Sequence, residues 1–285
     1  VIGASGKLTG AGGAQIFWQS WAPDGVAPRA VLVIVHGAGE HSGRYGHVAQ
    51  RLVGEGFAVY ALDHRGHGRS DGPRALIDGI DRAVADIDGL VTMARGARPE
   101  LPVFMLAHSM GGTFGVQYAL AHQDRLAGLI LSAPLAALDA APAPLRMVGR
   151  LLSAIAPRVG LIAVDPELVS RDPQVVATYR ADPLNHHAKL PARTVAELAS
   201  AIDAFPQRVA RITLPTLILY GTADRLAPPR GSEMLAERIG ATDLTVIPYE
   251  GLYHEILNEP EQATVLDDLC AWLDAHVSPR GRVGR

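Results

Sequence analysis

The 285-residue chain carries 26 Lys+Arg against 29 Asp+Glu, a formal net charge of −3, and so lacks the basic excess expected of a nucleic-acid binder. With 48% hydrophobic and 19% charged residues it can bury a large core, which excludes global disorder. A single cysteine, Cys270, excludes a disulfide framework and a cysteine-based metal cluster, and the residue reads as a small core side chain.

The segment before Gln15 is Gly-rich and shows no basic stretch followed by an apolar run, so no secretory signal is read. Short apolar runs follow at Gln15–Trp21, Ala30–Val35, Phe57–Leu62, Val103–Ala107, Leu126–Leu131, Thr216–Tyr220 and Leu244–Pro248. Their near-continuous apolar character predicts parallel strands buried on both faces. Helices are predicted between them at Tyr45–Gly54, Ala75–Ala94, Met110–His122, Gly231–Ile239 and Glu261–His276. This alternation implies an α/β architecture, a mostly parallel sheet flanked by helices.

The alternation stops between residues 134 and 208, where Pro, Ala and Arg are frequent and no strand is predicted. Met147–Ile155 places Val148, Leu151, Leu152 and Ile155 on one helical face. The expected division is a core of residues 1–133 and 209–285 with an inserted helical cap at 134–208, ending in a basic tail. The longest apolar stretch, Leu145–Val164, is broken by Arg146, Arg150, Pro157 and Arg158, whereas a spanning helix needs about 20 largely uncharged residues. A cytoplasmic or peripherally membrane-associated protein is the expectation.

A literal G-x-S-x-G occurs at Gly68–Gly72, but no strand feeds directly into Ser70 and no helix starts there. The strand-to-helix context that lifts a serine hydroxyl above a sheet belongs instead to Ala107-His108-Ser109-Met110-Gly111. A serine hydroxyl needs a base, and the base needs an orienting acid. Asp224 follows the strand at Thr216–Tyr220, and His254 follows the one at Leu244–Pro248, so both loops open at the edge that presents Ser109. Ser109, Asp224 and His254 are therefore the expected catalytic triad. The oxyanion donors are expected to be the N–H of Met110 and, from the loop His36–Glu40, that of Ala38. Read alone, that loop would be a Gly-rich turn and nothing more.

The runs His36–Tyr45, Asp63–Ser70, His108–Gly112, Gly221–Leu226 and Tyr249–His254 together resemble the monoacylglycerol lipases, especially bacterial and mycobacterial members of the α/β-hydrolase fold. The resemblance runs from about Gln15 to His276. It implies an α/β-hydrolase fold with a cap, no cofactor or metal, and cleavage of a lipid ester to glycerol and fatty acid through an acyl-enzyme. It further implies a glycerol-end pocket at Glu40, Arg44 and His108, although Glu40 and Arg44 equally suit a structural ion pair, and a cap tyrosine at Tyr179. Some relatives carry a second histidine three positions after the catalytic one, where this chain has Leu257. From their spacing, Leu151, Leu152 and Ile155 are expected to offer apolar surface to the acyl chain, and the cap to rest on a membrane or micelle. The alternatives are a broad carboxylesterase or lysophospholipase on the same triad and, from another class, a non-catalytic binding module. A dehalogenase or epoxide hydrolase would place an aspartate where Ser109 stands.

Overall fold

Strand β3 (Ala30–Val35) is wholly buried, and its side chains divide by parity. Val31, Val33 and Val35 enter one apolar cluster, while Ala30, Leu32 and Ile34 enter another. That division is the two-residue period of a strand with helices packed on both faces. A computed structural model describes residues 2–138, 149 and 151–277 and shows how this strand sits in the sheet.

In chain order the other sheet strands are β1 (Ile2–Thr9), β2 (Gln15–Ala22), β4 (Phe57–Leu62), β5 (Val103–His108), β6 (Gly128–Ser132), β9 (Thr216–Gly221) and β10 (Leu244–Tyr249). They lie in the spatial order β1-β2-β4-β3-β5-β6-β9-β10. From β4 to β10 every pairing is parallel; β1 and β2 form an antiparallel hairpin added to β4. Helices α2 (Ile80–Ala97) and α3 (Met110–His122) cover one face, and α1 (Gly46–Gly54) lies on the other.

Between β6 and β9 the chain forms α4 (Pro173–Ala181), α5 (Ala192–Arg208) and, contrary to the all-helical expectation, two short strands. These are β7 (Gly160–Ile162) and β8 (Leu190–Pro191), paired antiparallel. They are too short to carry a hydrophobic period, which is why the sequence hides them. Helix α5 buries Leu198, Ile202 and Phe205 in the same cluster as α3, so this part of the insertion is built into the core. The last two helices are α6 (Pro229–Arg238), on the α3 face, and α7 (Gln262–His276), which packs Val265, Leu269 and Trp272 on the α1 face. Cys270 is buried there as a free thiol.

Further expectations change. β2, expected as a parallel strand buried on both faces, is antiparallel and largely half-buried, and β10 is parallel but a half-exposed edge strand, since each lies at the margin of the sheet. β1 was not anticipated, because its Gly- and Ser-containing residues lack an apolar period; full-length pairing with β2 holds it. Helix α2 begins at Ile80 rather than Ala75, since Ala75 has φ +55° and the next residues are claimed by another element. The Ile77 N–H donates to Thr194 Oγ1 at 2.9 Å, and that hydroxyl donates to the Ala75 carbonyl at 2.7 Å. Leu145, Arg146, Met147, Val148, Arg150 and the basic tail from Ser278 lie outside the described residues.

Candidate active site

The site begins with a backbone conformation. Ser109 stands between β5 and α3 at φ +55° and ψ −121°, a region a residue with a Cβ enters only under constraint. Its neighbours supply that constraint. The Ser109 N–H donates to the Ser132 carbonyl at 3.1 Å, and its own carbonyl accepts from Thr113 and Leu135. Gly111 must be glycine, because a Cβ there would fall 2.2 Å from the Val35 carbonyl oxygen. The turn therefore seats α3 directly against the end of β3 and leaves the Ser109 hydroxyl at the carboxyl edge of the sheet.

The loops after β9 and β10 meet that hydroxyl. His254 Nε2 lies 2.9 Å from Ser109 Oγ, and His254 Nδ1 lies 2.7 Å from Asp224 Oδ2. The other oxygen of Asp224 accepts the N–H groups of Leu226 and Ala227 at 2.8 and 2.9 Å, which fixes the carboxylate plane. Nδ1 therefore carries the proton toward Asp224, and Nε2 presents its lone pair to the serine. Burial opposes a charged His254, but the Asp224 charge and hydrogen bond, with Glu255 and Glu40 nearby, outweigh it and raise its pKa above the ordinary 6.5. This arrangement can take a proton from Ser109 and hold it.

The loop after β3 lies against the serine. A Cβ built on Gly37 would stand 3.0 Å from the Ser109 Cβ and 2.9 Å from Glu40 Oε1, so any larger residue would press on both. Glu40 organises the loop from inside: Oε1 accepts the Gly37 N–H at 2.6 Å and the Tyr45 hydroxyl at 2.8 Å. The insertion holds it from outside, with the His186 N–H donating to the Gly39 carbonyl at 2.9 Å. His41 is tied to Asp182 at 2.9 Å across the same boundary. Ala38 and Met110, the expected oxyanion donors, thus lie on the two backbone segments that flank Ser109, and Ala38 lines the pocket beside it.

Glu40 and Arg44 do form the ion pair anticipated as one of two readings, at 3.0 Å, but with a partner the sequence did not reveal. Glu255 receives two bonds from the Arg44 guanidinium at 2.5 and 2.7 Å, plus one from Asn258 at 2.9 Å. The signal was its position beside His254 in the same loop. Burial would raise the pKa of Glu40, yet Arg44 first, then His108, His36 and the Gly37 N–H, draw it down to about 2. The guanidinium lies 4.8 Å from the centre of the Tyr179 ring. His108 Nδ1 donates to the Ser132 carbonyl at 3.0 Å; burial and His254 lower its pKa to about 4, so it is a neutral ring.

A pocket opens above Ser109 and His254. Its polar wall holds Glu40, His108, Tyr179 and Glu255, while Leu135, Ile162, Val164, Val169, Leu190, Val195, Leu198 and Leu226 make the remainder apolar. Leu151, Leu152 and Ile155 are not part of that wall. In the helical residues 151–155 Ser153 turns inward, which sends Leu151 and Ile155 to solvent at 58% and 70% exposure. The apolar face expected from their spacing exists, but it is an outer face, and β7 supplies the inner surface instead.

The decoy serine is engaged elsewhere. Ser70 Oγ donates to the Asp63 carbonyl at 2.5 Å and accepts the Phe17 N–H at 2.8 Å. Asp63 is buried and accepts from both the N–H and the hydroxyl of Ser42.

Comparison with known proteins bears on family and fold. The family described as serine aminopeptidase, S33, matches residues 26–261. A monoacylglycerol lipase from Mycolicibacterium smegmatis is 44% identical over 95% of this chain and 97% of its own. Rat monoglyceride lipase is 34% identical over 96% of this chain and 91% of its own. The crystal structure of a monoacylglycerol lipase from Paleococcus ferrophilus superposes with a TM-score of 0.83 at 33% identity, covering 92% of this chain and 99% of that one. The elbow at Ser109, the parallel sheet beneath it and these matches along nearly the whole chain agree, and the chain belongs with the monoacylglycerol lipases in the α/β-hydrolase family of serine hydrolases.

Proposed function

We propose that the protein hydrolyses monoacylglycerols to glycerol and a free fatty acid, with Ser109 as nucleophile, His254 as general base and acid, and Asp224 as its orienting partner. The observation that carries this reading is the continuous hydrogen-bonded chain from Asp224 through His254 to Ser109, opening on a largely apolar pocket. In the first half-reaction Ser109 Oγ attacks the ester carbonyl carbon and its proton passes to His254 Nε2. The N–H groups of Ala38 and Met110 hold the resulting oxyanion. Collapse breaks the bond to the glycerol oxygen, which takes the proton from His254. A water molecule then gives its proton to His254 and attacks the acyl carbon, releasing the fatty acid and restoring Ser109. These steps need no cofactor.

The insertion of residues 134–208 acts as the cap over this chemistry. Ile162 supports a role at a lipid surface, since it lines the pocket and is also 51% exposed; Leu151, Ile155 and Val159, elsewhere in the insertion, are exposed too, at 46–70%. An acyl chain leaving a membrane or micelle would find apolar contact from Ile162 inward to the serine, each buried methylene contributing about 0.8 kcal/mol. No helix among the described residues is long and apolar enough to cross a membrane.

The test is turnover of 1-monoacylglycerols of several chain lengths by the wild type and Ser109→Ala, beside matched diacylglycerols, methyl esters and lysophospholipids. Monoacylglycerol turnover well above the others and lost in the variant is expected. Equal turnover of methyl esters would make the protein a general esterase, and activity surviving in Ser109→Ala would remove the serine from the mechanism.

A further inference from the structure

The polar end of the pocket carries an unbalanced charge. Glu40 and Glu255 both line it, and both are almost completely buried, at 3% and 5% exposure. The cation that pairs with them, Arg44, lies behind the Tyr179 ring and is not part of the pocket wall. Two carboxylates against one guanidinium leave one negative charge, and Asp224 beside a neutral His254 adds another. Water screens such enclosed charges poorly. The excess also lies close to the reacting atoms: Glu40 Oε1 and the Ser109 Cβ are near enough for one Cβ on Gly37 to touch both.

The other walls are apolar and suit an acyl chain, which leaves this end for the alcohol half of the ester. We infer that Glu255, together with Glu40, filters the alcohol half of the ester by charge, accepting neutral polyols and cationic alcohols and rejecting glycerol carrying a phosphate. The inference rests on the ester-hydrolase reading above and narrows it. An anionic alcohol would meet two carboxylates with their counter-ion held behind them. A cationic alcohol would supply the missing positive charge. Glu255 acts here as a specificity residue, and its effect belongs in the ratio between substrates.

Butyryl esters, soluble as monomers, test this without an interface. The first pair is butyrylcholine and 3,3-dimethylbutyl butyrate, alike in shape and different by one charge. The wild type is expected to favour the choline ester by at least about tenfold in kcat/KM. The second pair is 1-butyrylglycerol and 1-butyrylglycerol 3-phosphate, for which a preference of at least about a hundredfold for the neutral ester is expected. In Glu255→Gln both ratios should shrink by about tenfold, while Glu255→Asp, which keeps the charge, should hold them. Thermal melts establish that each variant is folded, and the first pair needs no variant. Equal turnover of butyrylcholine and its uncharged isostere by the wild type overturns the charge filter. Unchanged ratios in a folded Glu255→Gln overturn the part assigned to Glu255. An inert 1-butyrylglycerol beside a reactive butyrylcholine would instead overturn the glycerol-ester reading and leave the filter standing.

Discussion

Lowering the pH from 7 to 5 should weaken the fold steeply, and the cause lies in four buried histidines. His36, His64 and His67 cluster at the carboxyl end of β3, with ring centres 4.3 to 6.3 Å apart, and His108 lies beside His254. Burial is the leading cause that lowers all four pKa values, to about 3 for His67 and about 4 for His108. His64 Nδ1 and His67 Nε2 have no hydrogen-bond partner, so protonating either would bury an unpaired donor. A native pKa below the unfolded 6.5 means the unfolded chain binds more protons, so stability is present above pH 6.5 and is lost as the pH falls toward the native value. By pH 5 His67 and His108 should each cost about 2 kcal/mol, from about 1.4 kcal/mol per pH unit over 1.5 units. His36 and His64 add to this in the same direction. His254, with its raised value, works the other way, but it is one ring against four. A drop of about 4 kcal/mol or more would be a large share of a domain's usual 5–15 kcal/mol. Urea unfolding at pH 7.5, 6.5, 5.5 and 5.0 measures it, with His67→Gln as the diagnostic variant, expected to lose one proton's worth of slope. A flat unfolding free energy between pH 6.5 and 5, or a slope unchanged in His67→Gln, would refute the reasoning.

Asp224→Asn should keep the melting temperature within a few degrees and lower kcat by about 10⁴-fold, because the amide favours the wrong His254 tautomer; steady-state kinetics on a soluble ester checks this. The acid limb of the kcat/KM profile should lie above pH 6.5, since the base must be neutral and its pKa is raised. Gly37→Ala should lower kcat at least about tenfold, as its methyl would press on Ser109 and Glu40 together. Thr194→Val should cost about 1–3 kcal/mol in chemical denaturation, because it strips the partners of two buried backbone groups at 75 and 77. Leu151→Glu with Ile155→Glu should reduce binding to lipid vesicles while leaving turnover of soluble esters unchanged, since both side chains lie outside the pocket. Vesicle co-sedimentation reads the first effect and ester kinetics the second.

Strands β3 to β6 and β9 were legible because burial on both faces writes itself as an unbroken apolar run; β10, at the sheet edge, reads as apolar though none of its residues is fully buried. Ser109 was legible because a small-residue turn joins such a run to a helix, and Asp224 and His254 because the topology places post-strand loops on one edge. Strand β1 escaped because its stability comes from pairing with β2 and not from its own side chains. Glu255 escaped for a related reason. Its partner Arg44 is 211 positions away, and an ion pair between distant loops leaves no period in the sequence. Leu151 and Ile155 show the limit from the other side: helical spacing reveals that a face is apolar without saying which way it points.

The bond from the His186 N–H to the Gly39 carbonyl, with the His41–Asp182 contact beside it, gives the insertion a hold on the loop that faces Ser109. Exchanging residues 134–208 for those of a relative would therefore alter more than the shape of the pocket. A donor segment without an N–H at this place would leave the Gly39 carbonyl, two residues from Gly37, only the longer contact from the Tyr179 hydroxyl at 3.5 Å, and the chimera is expected to lose rate on every substrate alike. The insertion and the loop after β3 are thus coupled through the backbone, and a redesign that spares this coupling would change Ile162, Ala163 and Val164, which line the pocket, rather than the whole insertion.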